Sequence, residues 1–162
     1  MDHGFFSKLS RRINEIDSLL CVGIDPHPED LAKLDGDQLR QFGFHLIEET
    51  SWSAAAFKPN AAFFEAAGTA GIEALREIVA AVPEGIPVIL DVKRGDIGST
   101  AAAYAAAAFD FYKVDAVTLN PYLGRDSIAA FSSRSDTGAF VLCKTSNPGA
   151  KEFQDLLLAD HQ

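Results

Sequence analysis

Apolar residues recur along the chain with two different periods. Phe5, Leu9, Ile13, Ile16 and Leu20 lie three or four residues apart, the spacing of one helix face, and predict a leading amphipathic helix. A short apolar run, Leu19 to Ile24, follows and stops at Asp25-Pro26, as a strand closed by a turn does. Helical spacing returns at Leu39, Phe42, Leu46 and Ile47, and again at Ile72, Leu75, Ile78, Val79 and Val82, where Pro83 stops it. The Ala-rich stretch Ser99 to Tyr112 predicts a further helix, Ser127 to Phe131 a short one, and Phe153 to Leu158 the start of a last one. Between these stand the short apolar runs Ala54–Phe57, Ile86–Leu90, Asp115–Leu119 and Ala139–Cys143.

Strand and helix therefore alternate through about five strands, each too short and too apolar to have a wet face. That pattern predicts an α/β fold with a parallel sheet. No linker, repeat or low-complexity tract interrupts it beyond the Ala-rich helix, so a single domain over 1–162 is expected.

Each predicted strand is followed by polar groups: Asp25, Lys58, Asp91 with Lys93, Asn120, and Thr145 with Ser146. Parallel α/β folds bind ligands at the carboxyl ends of their strands. One polar residue there means little, because strands end in polar loops anyway. Recurrence at every strand, three times with a following proline, points to a site.

The segment Asp91-Val92-Lys93-Arg94-Gly95-Asp96 is the sharpest of these. Residues two apart on a strand leave on the same face, so the Asp91 carboxylate and Lys93 ammonium become neighbours and hold each other charged. Lys58 arrives from the preceding strand and Asp96 from the following loop. Such an alternating array can hold a proton donor in place and present a carboxylate to a substrate. A solvated turn with charges of both signs is the competing reading; the apolar strand in front and Lys58 one strand earlier favour the site. Schiff-base chemistry at a strand-end lysine is an alternative, but lysines beside aspartates suit proton donation better. Arg94-Gly95-Asp96 also spells a cell-adhesion tripeptide, here a coincidence of letters.

Charge narrows the partners. The 14 Lys and Arg against 23 Asp and Glu give −9, which excludes the basic face of a sequence-independent nucleic-acid binder. A phosphate-bearing substrate must then be met by local positive charge. Cys21 and Cys143 sit in apolar runs, as buried free thiols do, and a disulfide is not expected. Lys8, Arg11, Arg12, Glu15 and Asp17 break up the N-terminal segment, so neither a signal peptide nor a membrane span is read there, and a cytoplasmic location is expected. The four histidines, His3, His27, His45 and His161, form no set; only His27 is near the mouth of the predicted site, and no metal-ligand spacing occurs.

Five segments, in order, resemble the orotidine 5′-phosphate decarboxylases, most nearly the longer bacterial subgroup: Leu20–Pro28, Phe57–Asn60, Asp91–Thr100, Asn120–Gly124 and Thr145–Ala150. The Asp91–Thr100 segment is the most specific; Asp-x-Lys-x-x-Asp alone is shared with sugar-phosphate decarboxylases. The resemblance implies a (β/α)8 TIM barrel, a carbon–carbon lyase, and conversion of orotidine 5′-phosphate to uridine 5′-phosphate, the last step of de novo pyrimidine nucleotide synthesis, without cofactor or metal. It further implies that Asp25 binds ribose hydroxyls, that Lys58 binds ribose and supports the array, and that Asp91 faces the substrate carboxylate. Lys93 would protonate the carbon that loses carbon dioxide, and Ser146 would hydrogen-bond the pyrimidine edge. Asp96, Ile97 and Thr100 would reach the site of a partner subunit, making the active form a homodimer, and Asn120 completes the substrate-binding candidates.

The barrel has eight strands, and about five are read here. The family's phosphate grip comes from its last strands, so the chain is expected to be a C-terminally truncated barrel with weak or no activity. Two alternatives remain: a metal-dependent sugar-phosphate decarboxylase of the same fold, and a non-catalytic remnant that associates with itself or a partner.

Overall fold

The computed structural model describes residues 4–157. Helix α1 (Phe5–Ile16) leads into strand β1 (Cys21–Ile24), then α2 (Gly36–Thr50), β2 (Ala56–Pro59), α3 (Ala61–Glu65), α4 (Gly68–Ala81), β3 (Ile89–Arg94), α5 (Gly98–Ala106), β4 (Ala116–Leu119), α6 (Arg125–Ser132) and β5 (Gly138–Val141). All strand pairs are parallel. β1 lies beside β2, and β3 beside β4 and β4 beside β5; bridges at Phe57–Val88 and Asn60–Asp91 join the two groups into one arc. Among the described residues β1 and β5 pair on their inner sides only, so the arc is open. This is the incomplete (β/α) barrel expected.

Side-chain alternation sorts the strands into two faces. Ile24, Phe57, Val88, Leu90, Val117 and Leu119 point outward and pack with Leu39, Ile47, Leu75 and Ile78 of α2 and α4 into the main core. Ala56, Ile89 and Ala116 point inward near the start of their strands. Their small side chains leave room for Phe5 of α1, which is 1% exposed and plugs that end of the arc. Gly138 of β5 lacks a Cβ where the Phe5 ring passes. Asp115 fastens the plug: one carboxylate oxygen takes the Lys8 ammonium at 2.8 Å and the other the Val88 N–H at 2.8 Å.

The elements depart from the sequence pattern in four places. α1 stops at Ile16, because Asp17 turns left-handed (φ 50°), so Leu20 is not helical. α3, which the pattern did not predict, starts where the Asn60 side chain accepts the Ala62 N–H at 3.2 Å, a cap that satisfies a helix-end donor. The Ala-rich helix loosens into a π turn over Ala107–Phe111. Phe153–Leu157 form turns and irregular chain rather than a helix: the Gln154 side chain is drawn back to Thr145 instead. Leu158, His3 and His161 lie outside the described residues.

Both cysteines are free, as expected, but exposed rather than buried. Cys21 points into the open hollow of the arc, a cavity of about 320 Å³ that it lines with Leu9, Ile13, Leu19, Ile89 and Phe140. Cys143 lies past the end of β5, on the arc's outer edge.

Candidate active site

Three adjacent strands build the centre of the site at their carboxyl ends. β2 contributes Lys58, β3 contributes Asp91 and Lys93, and β4 contributes Thr118, all from inward-facing positions. Asp91 is 8% exposed, yet its carboxylate is fully engaged. Oδ2 accepts from Lys58 Nζ at 2.8 Å; Oδ1 accepts from Lys93 Nζ at 2.6 Å and from the Thr118 hydroxyl at 2.8 Å. Burial pushes the Asp91 carboxyl up, but the bonds from Lys58, Lys93 and Thr118 outweigh it and hold the group down at about 2. The cluster is thus a buried anion clamped between two cations, one of which, Lys93, is half exposed and free to face a ligand.

Lys93 reaches this place through an irregular backbone. Leu90 pairs with Val117 and Arg94 with Leu119, so Asp91, Val92 and Lys93 together stand opposite Thr118 alone. This is a bulge, which re-aims side chains at a strand end. Lys93 takes φ 45°, a conformation costly for any residue with a Cβ. Beyond the bulge Arg94 anchors the chain outward, bonding Glu65 at 2.6 Å and lying over the Tyr104 ring. Gly95 then passes so close to β4 that a Cβ would fall 2.6 Å from the Asn120 carbonyl oxygen.

The other predicted residues lie around this centre with different degrees of engagement. Asp25, at the end of β1, is half-buried, and its Oδ1 is enclosed without a hydrogen-bond partner among the described residues. Asp96 stays outside the cluster: its Oδ1 accepts the Ile97 N–H at 2.8 Å, so the expected four-member array is a three-member one within this chain. Ile97 and Thr100 are exposed beside it. Asn120 is exposed and uses its side-chain oxygen to accept the Tyr122 N–H at 3.0 Å, which shapes the loop after β4. Ser146 is exposed on the loop after β5, a loop held by the Thr145–Asn147 and Thr145–Gln154 bonds. His27 is exposed and stands edge-on to Phe63 at 4.5 Å.

Thr118 is the residue that sequence reading missed. Its signal was present: in Ala116-Val117-Thr118-Leu119 it is the one polar position, on the same face as Ala116 and Asn120. Among the described residues no group of three or more His, Cys, Asp and Glu is placed to hold a metal, and no helix is long and apolar enough to cross a membrane.

Known proteins resemble this chain in sequence and in fold. Residues 18–162 match the model of the orotidine 5′-phosphate decarboxylase / HUMPS family. The orotidine 5′-phosphate decarboxylase of Herpetosiphon aurantiacus is 50% identical over 160 residues, an alignment covering 95% of this chain and 59% of that protein. That of a Roseiflexus species is 51% identical over 146 residues, covering 88% and 53%. Among solved structures, the OMP decarboxylase of Leishmania donovani superposes with a TM-score of 0.90 at 48% identity, covering 97% of this chain and 60% of that one. The chain thus spans somewhat over half the length of the curated relatives it matches. On its sequence and its five-stranded arc together, the chain belongs to the orotidine 5′-phosphate decarboxylase / HUMPS family.

Proposed function

We propose that this chain carries the decarboxylating centre for orotidine 5′-phosphate, releasing carbon dioxide and leaving uridine 5′-phosphate. The observation that carries the reading is the Asp91 carboxylate clamped by Lys58 and Lys93 at the ends of β2 and β3, with the Lys93 ammonium half exposed. When the bond from the pyrimidine carbon to its carboxylate breaks, carbon dioxide departs and the electron pair stays on the ring carbon, which has no attached sink. A fixed ammonium beside that carbon stabilises the developing charge and then donates the proton that replaces carbon dioxide. Asp91 keeps the lysine charged and aimed. Asp25, with an enclosed oxygen that lacks a partner among the described residues, suits ribose hydroxyl donors. Ser146 and Asn120 stand on the loops that would flank the base.

The half-buried Asp96 and the exposed Ile97 and Thr100 suit contact with a second copy, and the assembly we assign is a homodimer working on a free nucleotide in the cytoplasm. The test is the loss of orotidine 5′-phosphate absorbance with purified chain beside a Lys93→Ala control. Slow turnover that disappears in the control supports the reading. Indistinguishable traces overturn it for this chain, and magnesium-dependent turnover of a keto-sugar phosphate would point to the sugar-phosphate branch instead. Self-association is the second reading, favoured by the outer sides of β1 and β5, which are unpaired among the described residues. Its sign is stable ligand-free oligomers without nucleotide affinity.

A further inference from the structure

The Asp91–Lys93 bulge leaves a gap in the ladder between β3 and β4. Three residues of β3 face one of β4, so the carbonyls of β4 cannot meet every N–H opposite. Val92 N–H and Lys93 N–H both turn instead to the Thr118 hydroxyl, each at 3.0 Å. The same hydroxyl donates its proton to Asp91 Oδ1 at 2.8 Å. A hydroxyl has one donor and two acceptor lone pairs. All three are used here, and all three go to the segment that carries the site's acid and base.

We propose that Thr118 is a positioning residue for the decarboxylation: its hydroxyl holds the Lys93 backbone in its left-handed turn and fixes the Asp91 carboxylate to which the Lys93 ammonium is bonded. The proposal rests on the decarboxylase reading for its role in turnover, while its structural content stands without it. Each bond has a separate task. The two accepted N–H bonds satisfy donors that the bulge would otherwise strand, and hold Lys93 at φ 45°. The donated bond fixes one oxygen of Asp91, so that Lys93 meets a stationary partner. Fixing both ends of the lysine, backbone and ammonium, leaves its position over the site determined. Valine has the shape of threonine and none of these bonds; serine keeps all three and lacks only the methyl group.

The test is an NMR study of the full chain in three forms: wild type, Thr118→Val and Thr118→Ser. Two readouts need no substrate: the titration of the Asp91 carboxyl carbon and the hydrogen exchange of the Val92 and Lys93 amides. In wild type both amides should exchange slowly. In Thr118→Val the Asp91 titration should move upward, by roughly half a unit to one unit for one lost bond, and both amides should lose protection. Thr118→Ser should restore both. Where wild-type turnover is measurable, Thr118→Val should lower kcat with little change in KM, and Thr118→Ser should recover it. Unprotected Val92 and Lys93 amides in the wild-type chain would overturn the proposal without any variant. So would an Asp91 titration unmoved in Thr118→Val, or a failure of serine to rescue. Absence of wild-type turnover would count against the decarboxylase reading alone, because neither NMR readout depends on it.

Discussion

Replacing Asp91 by asparagine removes the one negative charge between Lys58 and Lys93 while keeping the side-chain shape. The Asp91 carboxyl is held from an ordinary 3.8 down to about 2, and that difference is worth about 2.5 kcal/mol of folding stability at neutral pH. The sign follows from linkage. A carboxyl depressed in the folded state contributes fully above its unfolded value and loses the contribution as pH falls toward the folded value. On these two values roughly half of the contribution survives at pH 3 and about 0.4 kcal/mol at pH 2. Asp91→Asn has no such group to titrate. The stability gap between wild type and Asp91→Asn, from urea unfolding followed by circular dichroism, should therefore narrow by about 2 kcal/mol between pH 6 and pH 2. Other acidic groups titrate in both proteins and cancel in the difference. A gap that stays constant over this range would refute the reasoning, because it would mean that the lysines do not stabilise the ionised carboxylate.

Lys93→Gly and Lys93→Ala both delete the ammonium and should both abolish turnover, but glycine relieves the φ 45° backbone and should be more stable by about 1 kcal/mol in urea unfolding. Gly95→Ala drives a methyl group against the Asn120 carbonyl, so it should cost about 1–3 kcal/mol and weaken any turnover by shifting the bulge. Phe5→Ala empties the plug beneath β2, β3 and β4 and should cost about 3–5 kcal/mol, measured the same way. Because both thiols are exposed, a disulfide-exchange reagent should label Cys21 and Cys143 in the folded chain.

The fold was readable wherever one rule decided it. Short strands apolar on both faces and separated by amphipathic helices admit a parallel sheet and little else, and the strand-end polar residues then mark its functional edge. Boundaries moved where local chemistry competed with periodicity. α3 depends on a cap from Asn60, whose side chain accepts the Ala62 N–H. β3 runs on past its apolar part to Arg94, because the bulge carries it through Asp91 and Lys93. The Cys21 thiol deceived because an apolar neighbourhood in sequence implies burial only in a sheet closed on both faces. Here the inner face opens to a cavity. Within the site, pairing of Asp91 with both lysines follows from alternation and strand order. Thr118 required knowledge of register: only the offset Leu90–Val117 against Arg94–Leu119 shows that it faces three residues.

The same register explains why an open arc can hold a complete charge cluster. Lys58, Asp91, Lys93 and Thr118 come from β2, β3 and β4, which are neighbours in sequence and in space and which each have a strand on both sides. Phe5 closes the opposite end of these same three strands by packing on Ala56, Ile89 and Ala116. The cluster therefore leans on no contact beyond β1 at one side and β5 at the other. Under the proposed function, the candidates for reading the rest of a nucleotide are placed differently. Asp25 sits at the end of an edge strand, and Ser146 on a loop past the other edge, where among the described residues a strand neighbour lies on one side only. On that reading, chemistry at the reacting carbon and grip on the remote parts of the substrate are built by separate parts of the fold. Because remote binding drives the reacting group into place, removing the Asp25 carboxylate or the Ser146 hydroxyl should show first as weaker substrate binding, with Asp91, Lys58 and Lys93 still paired as they are in the free protein.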